Sequence, residues 1–108
     1  MEQHVVILVT VPNQATGATI ARDLVNARLA ACVNRMPGLC SVYQWQGKVE
    51  EAAEELLIVK TRASLVDAVA QRVKSLHPYQ VPEVIALPIA GGIASYLQWI
   101  DEETRPAS

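Results

Sequence analysis

The sequence predicts an α+β domain: two helices on one face of an antiparallel sheet, a long hairpin joining the second and third strands, and a short closing helix. Three observations carry that prediction. Apolar runs rich in β-formers recur as VVILV from Val5, LLIV from Leu56 and VIAL from Val84. Two stretches between them space their apolar residues at helical intervals, Ile20, Leu24 and Ala27 in one and Leu65, Val69, Val73 and Leu76 in the other. The segment Tyr43 to Arg62 reads as the turn and outgoing arm of one hairpin, with Gly47 between the β-formers Tyr43, Trp45 and Val49.

Taken in order, His4 to Val11 is the first strand, ended by Pro12, and Asn13 is a good N-cap for a helix from Gln14 to Ala27. Gly17 weakens that helix by about 1 kcal/mol relative to alanine. Ala30 to Arg35 resumes extended structure and is broken by Pro37-Gly38. Leu39 to Gln46 is the incoming hairpin arm, Gly47 relaxes the tip, and Glu54 to Arg62 returns. Glu50 to Glu55, EEAAEE, is either part of that arm or a helical turn, since its propensity favours the latter. Ser64-Leu65-Val66-Asp67 resembles a capping box with Asp in place of Glu, opening a second helix that Pro78 stops after His77. Val84 to Ala90 is the last strand, and its internal Pro88 marks an end, bulge or edge. Gly91-Gly92 turns the chain into a closing helix, Ala94 to Glu103, and Thr104 to Ser108 is expected to be loose.

The order βαββαβ is that of the ferredoxin-like sandwich. Its two main helices cover one face of the sheet, so the other face normally carries polar residues. Here the three apolar runs are apolar at odd and even positions alike, and both faces require burial. An assembly of identical chains is therefore expected, and a hairpin that outruns its sheet points the same way, because its edges need a cover.

The 108 residues form one domain, 1–108, long enough for a core without disulfides. A net charge of −2 argues against a nucleic-acid partner. No apolar run approaches the ~18 residues of a membrane span, and Met1 to His4 lacks a basic leader region, so the expectation is a cytoplasmic protein without membrane contact. Cys32 and Cys40 lack metal-binding CxxC spacing and are expected to be reduced thiols.

Few residues invite chemistry. His77 reads either as a helix-terminal histidine favoured by the helix dipole or as a copper ligand. Cys32, Met36 and Cys40 are soft donors suited to Cu(I), against the plainer reading of buried thiols acting as small hydrophobes. Glu50, Glu51, Glu54 and Glu55 read as a solvated face. Lys60, after the run LLIV, requires an acidic partner if it is half-buried. Tyr79 lies on a loop stiffened by Pro78 and Pro82, where function concentrates. No phosphate-binding loop, nucleophile elbow or Ser/His/Asp set is visible, so no enzyme activity is assigned.

Several motifs together carry a family resemblance: Ala30-Ala31-Cys32-Val33-Asn34, Pro37-Gly38, Tyr43-x-Trp45-x-Gly47-Lys48-Val49-Glu50, Lys60-Thr61, His77-Pro78-Tyr79-Gln80-Val81-Pro82-Glu83 and Tyr96-Leu97-x-Trp99-Ile100. In this order they resemble the divalent-cation-tolerance (CutA) family. The resemblance implies a ferredoxin-like homotrimer, related in architecture to PII signalling proteins and linked to copper tolerance. It also implies an inter-subunit pocket built from Cys32, Lys60, His77, Tyr79 and Glu83, with His77 as the retained metal-ligand candidate and copper or another divalent cation as cofactor. Copper-binding members can supply a cysteine at the position of Val9 and a further histidine at that of Leu76. Two other functions fit the same pocket: a PII-like sensor or scaffold holding a small anion near Lys60, His77 and Tyr79, or an enzyme.

Overall fold

The computed structural model describes residues 3–106. Strand β1 (His4–Val11) leads through helix α1 (Gln14–Asn26) to the hairpin arms β2 (Cys32–Trp45) and β3 (Lys48–Arg62). A short 3-10 turn (Ala63–Leu65) opens helix α2 (Val66–Leu76), followed by β4 (Ile85–Pro88) and helix α3 (Ala94–Glu103). The four strands lie in the order β2-β3-β1-β4, every neighbouring pair antiparallel. This is the ferredoxin-like arrangement that the chain order predicts.

Strand alternation sorts the side chains. Val5, Ile7, Val9 and Val11 of β1 and Leu57 and Val59 of β3 are buried against Ile20 and Leu24 of α1 and Val69 and Val73 of α2. The opposite face carries Val6 and Leu8, Leu56 and Ile58, all half-buried. Beside them, at β4, Leu87 pairs with Val6 and Ile85 with Leu8. These two are 49% and 51% exposed, so the second face is apolar and largely uncovered.

The hairpin departs from its expected outline in two ways, at Pro37-Gly38 and at the tip. Pro37-Gly38 does not break the chain. Cys32–Trp45 is one strand, and the pairing with β3 shifts between Met36 and Leu39 at a bulge where Gly38 takes φ +86°. The segment Glu50–Glu55 is strand, as the hairpin reading has it, and not a helical turn, because Glu50 to Glu54 pair across to β2 and Glu55 pairs with Val11 of β1. The tip uses Gln46 as well as Gly47, with φ +51° and +81°, the two left-handed residues of a tight two-residue hairpin turn. The last strand is shorter than the expected Val84 to Ala90, and α2 starts from the 3-10 turn that contains Ser64, not from a capping box.

The C-terminal segment is also not loose where it is described. Thr104 is buried, and its Oγ1 donates to the Ile100 carbonyl at 2.7 Å and accepts from Arg62 Nε at 2.8 Å. Arg62 donates again to the Thr104 carbonyl, and Arg28 to the carbonyls of Glu102 and Arg105. These guanidinium donors take up carbonyls that a helix C-terminus leaves without partners. With His4 Nε2 at 2.8 Å from Asp101 Oδ1, they hold α3 over one end of the open face. Residues 107–108 of the expected tail lie outside the described residues.

Gly17 has a packing role that its helix propensity hides. Glu55, buried and bonded to Arg35 Nε at 3.2 Å, lies against α1, and a Cβ at position 17 would fall 1.7 Å from Glu55 Oε2. Gly17→Ala should therefore lower stability by about 1–3 kcal/mol, although propensity alone favours alanine by about 1 kcal/mol. Urea unfolding checks the sign, and a more stable variant would show that the Glu55 carboxylate yields.

Candidate functional site

At the Thr10 end of the open face, β1, the outer half of the hairpin and the loop 77–84 enclose a half-open cleft of about 660 Å3. The loop is placed by His77. Its backbone N–H closes α2 on the Val73 carbonyl, and its ring, 7% exposed, turns under the sheet end. Nε2 lies 2.7 Å from the Thr10 carbonyl and Nδ1 3.1 Å from the Tyr79 backbone N–H. A carbonyl only accepts and an amide N–H only donates, so the ring is the neutral Nε2–H tautomer with both nitrogens engaged. A metal would have to displace the Tyr79 amide to reach the Nδ1 lone pair.

Tyr79 stacks obliquely on that ring, with centroids 4.6 Å apart, and its hydroxyl donates to Glu54 Oε2 at 3.0 Å. Burial, then the hydrogen bond to Glu54 and the charge on that carboxylate, push the phenol up to about 12. Glu54 and Glu55 are buried and not part of a solvated face. Ser41, Tyr43 and Trp45 bring the hairpin to the cleft, and Glu83 lines it from the loop.

The five residues singled out from sequence fall into two groups. Tyr79 and Glu83 line the cleft, and His77 supports it from behind. Cys32 and Lys60 face each other across β2 and β3, and Lys60 pairs with Val6 of β1, four residues from Thr10 or roughly 13 Å along the strand. There Lys60 Nζ donates to Asn34 Oδ1, so its expected acidic partner is replaced by an amide. Cys32 Sγ approaches the same Asn34 oxygen at 3.9 Å, and burial and then Cys32 raise the hydroxyl pKa of Tyr96 on α3. Cys32 and Cys40 are both free thiols, the first half-buried and the second exposed, against the expectation of burial. Glu54 was missed as a site residue, although its parity with Leu56 and Ile58 already put it on the open face.

A ferredoxin-like sandwich with an overlong hairpin, an uncovered apolar face and an acidic, aromatic cleft at the end of that face defines a class of small α+β proteins. The chain belongs to the divalent-ion-tolerance family: the family model described as CutA1 divalent ion tolerance protein matches residues 5–103. It is 55% identical over 101 residues to the chloroplastic Protein CutA 1 of rice, covering 94% of this chain and 57% of that one. It is 54% identical to the divalent-cation tolerance protein CutA of Thermus thermophilus, covering 92% and 96%. The chain thus spans little more than half the length of its plant relative. The crystal structure of rice CutA1 superposes with a TM-score of 0.93 at 53% identity, covering 97% of this chain and 96% of that chain. The structure of a periplasmic divalent cation tolerance protein CutA from Archaeoglobus fulgidus gives 0.92 at 40%, covering 94% and 99%. Such relatives are described as chloroplastic or periplasmic. Among the described residues no helix is long and apolar enough to cross a membrane.

Two measurements probe this geometry. In a spectrophotometric titration, one tyrosine should ionise near pH 12, and Glu54→Gln should lower that value only in part, because burial, the larger cause, remains. Because folding raises this pKa, the associated stability is complete below ~10 and is lost as pH climbs to 12. Separately, His77→Ala should cost about 2 kcal/mol of stability through the two lost hydrogen bonds, measured by chemical denaturation. No loss would refute the structural role.

Proposed function

We propose that this chain forms a homotrimer that binds divalent cations, copper among them, at clefts between subunits, with Glu54 and Glu83 as oxygen donors. The observation that carries this reading is the position of the cleft at the end of an apolar sheet face with room for a second chain. Among the described residues no three His, Cys, Asp or Glu side chains come together as a metal site, so donors from a neighbour are needed to complete one. A chain packed on the open face could bring its own Cys32 and Lys60 toward the Tyr79–Glu83 loop, joining residues that one subunit keeps apart. Its membership of a divalent-ion-tolerance family supports the cation.

The donor chemistry limits the affinity. His77 is occupied inside the chain, and Val9 and Leu76 stand where copper-binding members can place cysteine and histidine. Carboxylate and phenol oxygens suit hard cations more than they suit copper, so selectivity for copper should be low. The anion-sensing alternative is less favoured, because the charged groups that each chain places in its own cleft lining are carboxylates.

Isothermal calorimetry with Cu(II), Mn(II) and Zn(II) should show weak binding that falls several-fold in Glu54→Gln and less in His77→Ala, which loosens the loop but removes no donor. Tight Cu(II) binding abolished by His77→Ala would overturn the carboxylate assignment. For assembly, Ile58→Asp should give folded, dissociated chains by light scattering and circular dichroism, since Ile58 lies on the open face. Val59→Asp, fully buried under the helices, should unfold the chain. A native chain that scatters as a monomer would refute the trimer.

A further inference from the structure

The cleft is much larger than a metal ion requires. Its volume of about 660 Å3 is that of a site for an organic molecule. Three rings line it, Tyr43, Trp45 and Tyr79, together with Pro78, Val42 and Val81. The charged groups that one chain places in this lining, among the described residues, are Glu54 and Glu83, both acidic. Trp45 is 40% exposed, so an aromatic face is open to a ligand.

Glu54 supplies the second, independent observation. It is only 8% exposed, yet Tyr79 occupies just one of its oxygens. Among the described residues no donor reaches Oε1, and no buried side-chain oxygen is left unsatisfied, so Oε1 opens onto the cleft. A carboxylate largely removed from water with one oxygen unpaired is a strong acceptor waiting for a charged N–H donor. Aromatic faces next to it attract the same positive charge and shield an apolar body from water.

We infer that the cleft binds an organic cation, a protonated amine or guanidinium on an apolar, ring-bearing body, with its N–H donated to Glu54 Oε1 and the body laid against Trp45 and Tyr43. The inference rests on the reading of this cleft as the binding site but not on the metal. A neutral molecule of the same shape leaves Glu54 unpaired, and an anion is repelled by both carboxylates. Divalent cations and the organic cation would compete for Glu54.

Phenethylamine, protonated at pH 7, and phenethyl alcohol, its uncharged counterpart, are the probes, read by calorimetry and by Trp45 fluorescence on the full native assembly. Trp45→Phe identifies the signal against Trp99. The amine should bind at least roughly tenfold more tightly than the alcohol, as a charge-assisted hydrogen bond implies. Glu54→Gln should remove most of that difference, and should Glu54→Gln fail to fold, Glu83→Gln should reduce it in part. Equal binding of amine and alcohol, an amine affinity unchanged in folded Glu54→Gln, or no amine binding would overturn the inference. Mn(II) separates the two readings. Amine binding with no Mn(II) binding would sink the metal reading and keep this one, whereas Mn(II) binding lost in Glu54→Gln without amine binding would do the reverse.

Discussion

A sheet that is apolar on both faces but covered on one constrains everything else in this chain. β1 and β3 place Val and Leu side chains alternately under the helices and on the open side. The helix side is satisfied within the chain by α1 and α2. On the open side, α3 is pinned over one end by His4, Arg28 and Arg62, and the loop after α2 is pinned over the other by His77. What remains between them is the apolar strip of Val6, Leu8, Leu56, Ile58, Ile85 and Leu87. Burying an apolar side chain is worth about 1.5–3 kcal/mol, so a strip of this size is a strong drive toward association.

The same constraint places the cleft. Its floor is the end of the open face, its outer wall the hairpin that runs beyond the sheet, and its lid the loop held by His77. Polar chemistry gathers there because strand alternation changes character at Glu54, the acid of β3 that lies next to the apolar strip on the open face. The Tyr79 hydroxyl then gives the buried carboxylate one partner, and the histidine ring that positions Tyr79 is used up in doing so.

Much of the fold was legible from sequence because hydrophobic period and chain order both point to the ferredoxin-like sandwich. The failures share a physical cause: each depends on a partner distant in sequence. Pro37-Gly38 reads as a break, but pairing with β3 on either side turns it into a bulge. Glu50–Glu55 reads as either hairpin arm or helical turn, and cross-strand pairing, which local propensity does not see, settles it as strand. Thr104 reads as tail, but Arg62 reaches it. For the site, Tyr79 and Glu83 were visible in a stiff, motif-bearing loop, whereas Glu54 was not separable from Glu50 and Glu51. All three are acids of one strand, and only the loop laid across Glu54 buries it. His77 was legible as special, but its two hydrogen bonds were not.

The central claim is that a neighbouring chain completes the cation site. It is tested most directly by calorimetric titration of Cu(II) into folded, dissociated Ile58→Asp protein beside the native assembly. Glu54, Tyr79 and Glu83 are intact in that variant, so the account predicts that binding falls below detection when the chains separate. Cu(II) binding to the folded monomer with the affinity of the native protein would contradict it.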